Sequence, residues 1–225
     1  MQTLSLPESN HSLVKSLSHH DDQELLTLFQ NHPDQGRYFV TIFCRYGLVV
    51  HTLISHSVRS PVQADYLFSQ TWRHIFYEMR VLNLREHQDD EEASTLQNWL
   101  INVTAACINQ AELPPVESIH YSLENSPPPL WCYVGQILDR MDALERLTLL
   151  MAETFHWSET RIAAYLQAEG ESISPSEVRE VLQSASRNLQ INLPEDIQAI
   201  YLGERFSLSG SERVDSELVS PGSVN

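Results

Sequence analysis

Four groups of side chains in this chain are of types that could do chemistry. His19-His20-Asp21-Asp22 brings four metal-capable donors together. Adjacent residues do not supply the spaced geometry of a structural zinc site, so a solvated helix entry is expected there and no metal is assigned. The aromatic residues Trp72, Phe76, Tyr77 and Trp99 could stack unpaired bases, as aromatic platforms do in single-strand binders. Only Arg73 and Arg80 accompany them, which favours core packing. The run Asp89-Asp90-Glu91-Glu92 reads as a solvated loop able to meet a basic partner or to screen the chain from DNA. Cys44, Cys107 and Cys132 are odd in number and widely spaced, giving neither a disulfide framework nor a CxxC box. GxSxG, HExxH and Gly-rich phosphate loops are absent, and the seven glycines leave little scope for a cofactor cradle. Neither enzyme chemistry nor a cofactor is expected.

The elements that would position these groups must fit 225 residues, enough for one generous domain or two small ones. Lys+Arg number 14 against 30 Asp+Glu, a formal net charge of -16, so the whole-molecule field repels phosphate backbones and anionic membranes. Nucleic acid would have to meet a local basic patch. The opening MQTLSLPESN lacks a basic stretch followed by an apolar one, and no segment approaches the ~18 consecutive apolar residues of a membrane span. A cytoplasmic protein with no membrane contact is expected.

Apolar residues recur at i, i+3, i+4 through most of the chain, and the expected fold class is all-α. Residues 1–20 and the Ser/Gly-rich residues 204–225 read as flexible tails. A helical domain over 21–112 is predicted, with helices entered at Asp21-Asp22, near Gly36, at Ser60-Pro61 and at Leu96. In the last of these Leu96, Trp99, Leu100, Val103, Ala106 and Cys107 are expected on the buried side. Residues 113–130 hold Pro114-Pro115 and Pro127-Pro128-Pro129, which breaks any continuous helix and reads as a linker. A second helical domain over 131–203 follows, with helices at about 130–139, 142–155, 158–167 and 175–189, and a short one after Pro194. Ser174, Pro175 and Glu177 form the clearest start signal, a capping box with Pro at the first helical position.

The helices over 158–167 and 175–189 have the order of a helix-turn-helix, with Ile162, Ala163 and Leu166 facing Val178, Leu182, Ala185 and Leu189. Taken along the chain, the layout resembles the short, two-domain bacterial RNA polymerase sigma factors of the extracytoplasmic-function group. Residues 64–76, ADYLFSQTWRHIF, are similar to the family stretch AEDLVQEVFLRAW, and Trp99-Leu100 matches FRAWLYRIARN. Residues 141–150 look like LPxxxRxVxxL, residues 161–166 like EIAxxL, and residues 177–189 like TVKSRLxRARRxL. The resemblance covers about Phe39 to Leu189.

It implies a transcription initiation regulator that binds RNA polymerase core and promoter DNA and answers to an anti-sigma or other regulatory protein. Carried over by position, Asp65, Gln70 and Arg73 would touch polymerase, Trp99 would meet melted DNA, and Arg179, Gln183 and Arg187 would read a promoter element. The departures are equally specific. The family's polymerase-binding D, Q and E fall on Tyr66, Ser69 and Gln70, and its strand-opening Arg-Asn falls on Ala105 and Ala106. Basic positions of the recognition helix become Glu180 or Val181 and Ser184 or Ser186, while Glu169, Glu171 and Glu177 crowd nearby. Since phosphate contacts supply most nonspecific DNA affinity, weak DNA binding is expected. The turn Ala168 to Ser174 also exceeds the three or four residues of a helix-turn-helix. A sigma-like interaction module without DNA binding is the alternative reading.

Overall fold

A computed structural model describes residues 4–84 and 95–203. The acidic run at 89–92 and the expected tail at 204–225 lie outside these residues. The described chain is all-α, with α1 (Ser12–Lys15), α2 (Asp22–Asn31), α3 (Gly36–Ser57), α4 (Pro61–Glu78) and α5 (Leu96–Gln110) before the Pro-rich segment. After it come α6 (Pro128–Arg140), α7 (Ala143–Glu153), α8 (Glu159–Ala168), α9 (Pro175–Asn192) and α10 (Glu195–Tyr201). Two single 3-10 turns, Pro7–Asn10 and Val116–Ser118, complete the described elements, which include no strand.

Most helices begin where a side chain can accept from the first free amides. Asp21 accepts from Glu24 N at 2.8 Å while Glu24 accepts from Asp21 N at 3.0 Å, a full capping box. Ser60 precedes Pro61 in α4, Thr95 accepts from Asn98 N, and Ser174 and Glu177 close α9 in the same reciprocal way. α8 ends in a Schellman motif: Glu171 N reaches Leu166 O, Gly170 N reaches Gln167 O, and Gly170 takes φ 97°. Gln167 then donates to Ile173 O at 2.7 Å, and buried Ile173 anchors the long turn into α9.

The main core forms around α3 and α4. Phe29, Phe39, Phe43, Phe68, Trp72 and Phe76 are fully buried and meet mostly edge to face, the Phe39–Phe76 centroids 4.8 Å and the Phe43–Trp72 centroids 4.9 Å apart. That is the geometry aromatic quadrupoles favour. α4 is enclosed by α3, α5 and α6. From beyond the Pro-rich segment, Cys132, Tyr133 and Ile137 of α6 enter the same core, as do Ala185 of α9 and Ile197 of α10. Residues on both sides of the expected linker therefore share one apolar interior. Pro128 and Pro129 are buried in the first turn of α6, where a missing N–H costs nothing, so the helix starts two residues before its expected beginning. α7, α8 and α9 also enclose a smaller cluster of their own, built on Met151, Ile162, Ala163, Leu166, Ile173 and Val178.

Two local expectations differ from what is seen. Residues 4–20, expected as a flexible tail, carry the first 3-10 turn and α1, and bury Val14 and Leu17 against α3. Apolar side chains there are too few to show a period, yet Leu4, Leu6, Val14 and Leu17 find places on the core. In α5 the buried stripe is Leu96, Leu100 and Thr104, with Ala106 exposed; Thr104 satisfies its hydroxyl on Leu100 O at 2.7 Å. α3 is long and apolar enough to cross a membrane, with hydropathy 1.4 over an 18-residue window, and half of that window is buried inside the fold.

Candidate functional surfaces

The outer face of α9 carries Arg179, Gln183 and Arg187, all exposed, because Val178 and Ala185 turn the opposite side inward. Arg179 is engaged. Its Nε and Nη2 donate to the two carboxylate oxygens of Glu159, at 2.9 and 2.6 Å, a bidentate clamp that ties α9 to the first turn of α8. The guanidinium in turn holds the Glu159 carboxyl below the usual carboxylate range. At the amino end of α9, hydrogen bonds from Ser174 lower the Glu177 carboxyl, so the helix terminus that could face an anion is closed by an anion of its own. On the inner flank Ser184 and Asn188 donate to Glu145 of α7, at 2.7 and 3.4 Å. Arg187 and Gln183 remain as the outward polar groups.

The residues expected to meet polymerase lie along α4 but do not share a free face. Asp65 is half-buried and faces His51 Nε2 of α3 at 3.4 Å. Gln70 is half-buried. Arg73 approaches Asp139 of α6 at 3.8 Å, and Tyr77 donates to the same carboxylate at 3.4 Å, so both lean toward α6. Trp72 and Phe76 are fully buried and unavailable to bases, whereas Trp99 is half-buried on α5. Among the described residues no ring contact joins Trp99 to the other aromatics.

His19-His20-Asp21-Asp22 is occupied structurally. Asp22 pairs with Arg45 at 2.9 Å and accepts from Tyr46 Oη, while His20 Nδ1 lies 3.2 Å from Glu24. No group of three or more His, Cys, Asp or Glu side chains among the described residues is arranged to hold a metal. Burial pushes the Cys44 thiol up to about 12 and the Cys132 thiol higher still, which keeps both protonated at neutral pH.

Two features escape sequence reasoning because they join residues more than 50 positions apart. The first is a staple between α10 and the start of α3: the Asp196 carboxylate accepts from Gly36 N at 3.0 Å and Arg37 N at 2.9 Å, while Ile197 lies against Gly36. Gln35, the residue before α3, offers no side-chain cap, so a helix from the far end of the chain supplies it. The second is a cavity of about 360 Å³ between α6, α9 and the segments after α2 and α4, with Arg80 and Arg140 in its wall.

No protein-family profile, no curated protein and no solved structure matches the chain.

Proposed function

We propose that the chain is a sigma-type transcription initiation regulator held in a closed arrangement. The observation that carries this reading is the succession of a helical core on α3 to α5 and a three-helix cluster on α7 to α9, whose last helix turns Arg179, Gln183 and Arg187 outward. This is the order expected from the motifs over residues 64–76, 99–100 and 141–189. In the closed arrangement Arg73 of α4 is drawn to Asp139 of α6, and Glu159 occupies the Arg179 fork that would meet promoter DNA. Release of α6 from α4 frees Arg73 and opening of the Glu159–Arg179 clamp frees Arg179, and a regulatory protein of the anti-sigma kind would act on those equilibria. Reconstituted transcription with polymerase core tests the reading. Promoter-specific initiation is expected, and loss of it in the variant carrying Arg179→Glu and Arg187→Glu; equal initiation by the variant contradicts it.

The Glu159–Arg179 clamp and the -16 charge favour a second reading, an interaction module without DNA binding. Such a module captures one partner protein from its own cytoplasm and leaves polymerase behind. Nanomolar, salt-sensitive binding of promoter DNA excludes it.

A further inference from the structure

The cavity of about 360 Å³ lies within the size range of small-molecule sites and is lined from both sides of the Pro-rich segment. Arg80 follows α4, Tyr133, Gln136 and Arg140 belong to α6, and Asn188 and Asn192 come from α9. Two cations therefore converge in a molecule of net charge -16, opposed in the wall only by the exposed carboxylate of Asp34. Arg80 is the anomaly. Its guanidinium stacks on the Phe76 ring at 4.5 Å, and its Nε is buried with no acceptor. Burial and the neighbouring charge of Arg140 both press its pKa down. Tyr133, buried, also leaves its hydroxyl without a partner in the same wall. Asp196, the other carboxylate near Tyr133, already accepts the α3 amides and is not free to neutralise Arg80.

A buried donor without an acceptor costs stability. Arg80 Nε and the Tyr133 hydroxyl share that state with Arg37, Thr71, Trp72 and Thr148, but only the first two belong to side chains of a cavity wall that also carries a second cation. An oxyanion in the cavity would be held by the charges of Arg80 and Arg140, because a guanidinium is built for phosphate and carboxylate recognition. The space beyond one oxyanion is bounded by Ile137 and Met141 and by the amides of Asn188 and Asn192, which suits a small organic body. We propose that this cavity binds a small phosphate-bearing metabolite between the two halves of the chain. The site does not depend on the sigma reading; bound there, such a ligand would hold α6 and α9 against the α4 end and favour the closed arrangement.

Thermal-shift and calorimetric titrations of the full chain with inorganic phosphate, glucose 6-phosphate, AMP and succinate test it. Saturable binding of at least one phosphate probe is expected, weakened about tenfold or more by Arg140→Gln, whose exposed side chain is dispensable for folding. Inorganic phosphate binding as tightly as the esters would identify free phosphate as the source of the same chemistry. Arg80→Met, which keeps a stem over Phe76, is expected to abolish binding while the unliganded protein stays folded. No binding of any phosphate probe, binding unaffected by Arg140→Gln, or preference for succinate overturns the proposal.

Discussion

Gly36→Ala probes the packing of α10 on the start of α3. A Cβ at Gly36 would lie 2.2 Å from Ile197 Cγ1 and 2.3 Å from Cδ1, with Tyr133 Cε2 at 3.1 Å. Carbon atoms settle at about 3.5–4.0 Å, so α10 must retreat by more than an ångström, and Ile197, fully buried, has no rotamer that leads to solvent. Overpacking of this kind costs about 1–3 kcal/mol, offset by about 0.5–1 kcal/mol for replacing glycine with alanine in a helix. A net loss of about 1–2 kcal/mol is expected. With Ile197→Ala the clashing atoms are gone, and Gly36→Ala becomes neutral or mildly stabilising there. The double-mutant cycle should show a coupling of about 1–3 kcal/mol, above the ~0.5 kcal/mol scatter of independent sites. Urea unfolding of the four proteins, with a common m value, measures it. An equal effect of Gly36→Ala in both backgrounds refutes the packing of α10 on α3.

Two further outcomes can be checked. Glu8 is buried beside Tyr201, which donates to it at 3.3 Å, and desolvation raises its carboxyl above the ordinary range. The folded state then binds the proton more tightly than the unfolded one, so stability is highest below the ordinary carboxylate pKa and falls as pH rises through the raised value. Glu8→Gln should match the parent near pH 4 and exceed it in Tm at pH 8; a constant difference across that range contradicts the assignment. Glu159→Gln should release Arg179, tighten binding to duplex DNA and steepen its salt dependence by about one phosphate contact, a slope change near 0.9. Unchanged binding in low-salt electrophoretic titrations would show that the clamp does not gate this surface.

Local signals carried the helices far better than their assembly. Asp21-Asp22, Ser60 with Pro61, and Ser174 with Pro175 and Glu177 mark helix starts by local signals, and the helices begin there. Apolar spacing identified the inner face of α9 through Val178 and Ala185, since an amphipathic stripe needs no knowledge of its partner. The stripe does not say which partner it meets. That is why Cys132, Tyr133 and Ile137, read as the start of a separate unit, pack instead beneath the same aromatics as Trp72 and Phe76. Triproline misled for a related reason: Pro forbids a helix interior but is welcome in a first turn, where Pro128 and Pro129 sit. Leu6, Val14 and Leu17 are scattered through a stretch rich in Ser, His and Asn, so periodicity could not place them. Arg80 and Arg140, 60 positions apart, meet only because α6 packs on α4.

The proposed sigma-type function requires that α4 dock on RNA polymerase core. Gel filtration of RNA polymerase core with the full chain and with Asp196→Ala, which removes both hydrogen bonds of the staple, addresses it directly. Co-elution is expected for both proteins. Failure of both to co-elute with polymerase, under conditions where each stays folded, contradicts the sigma-type assignment.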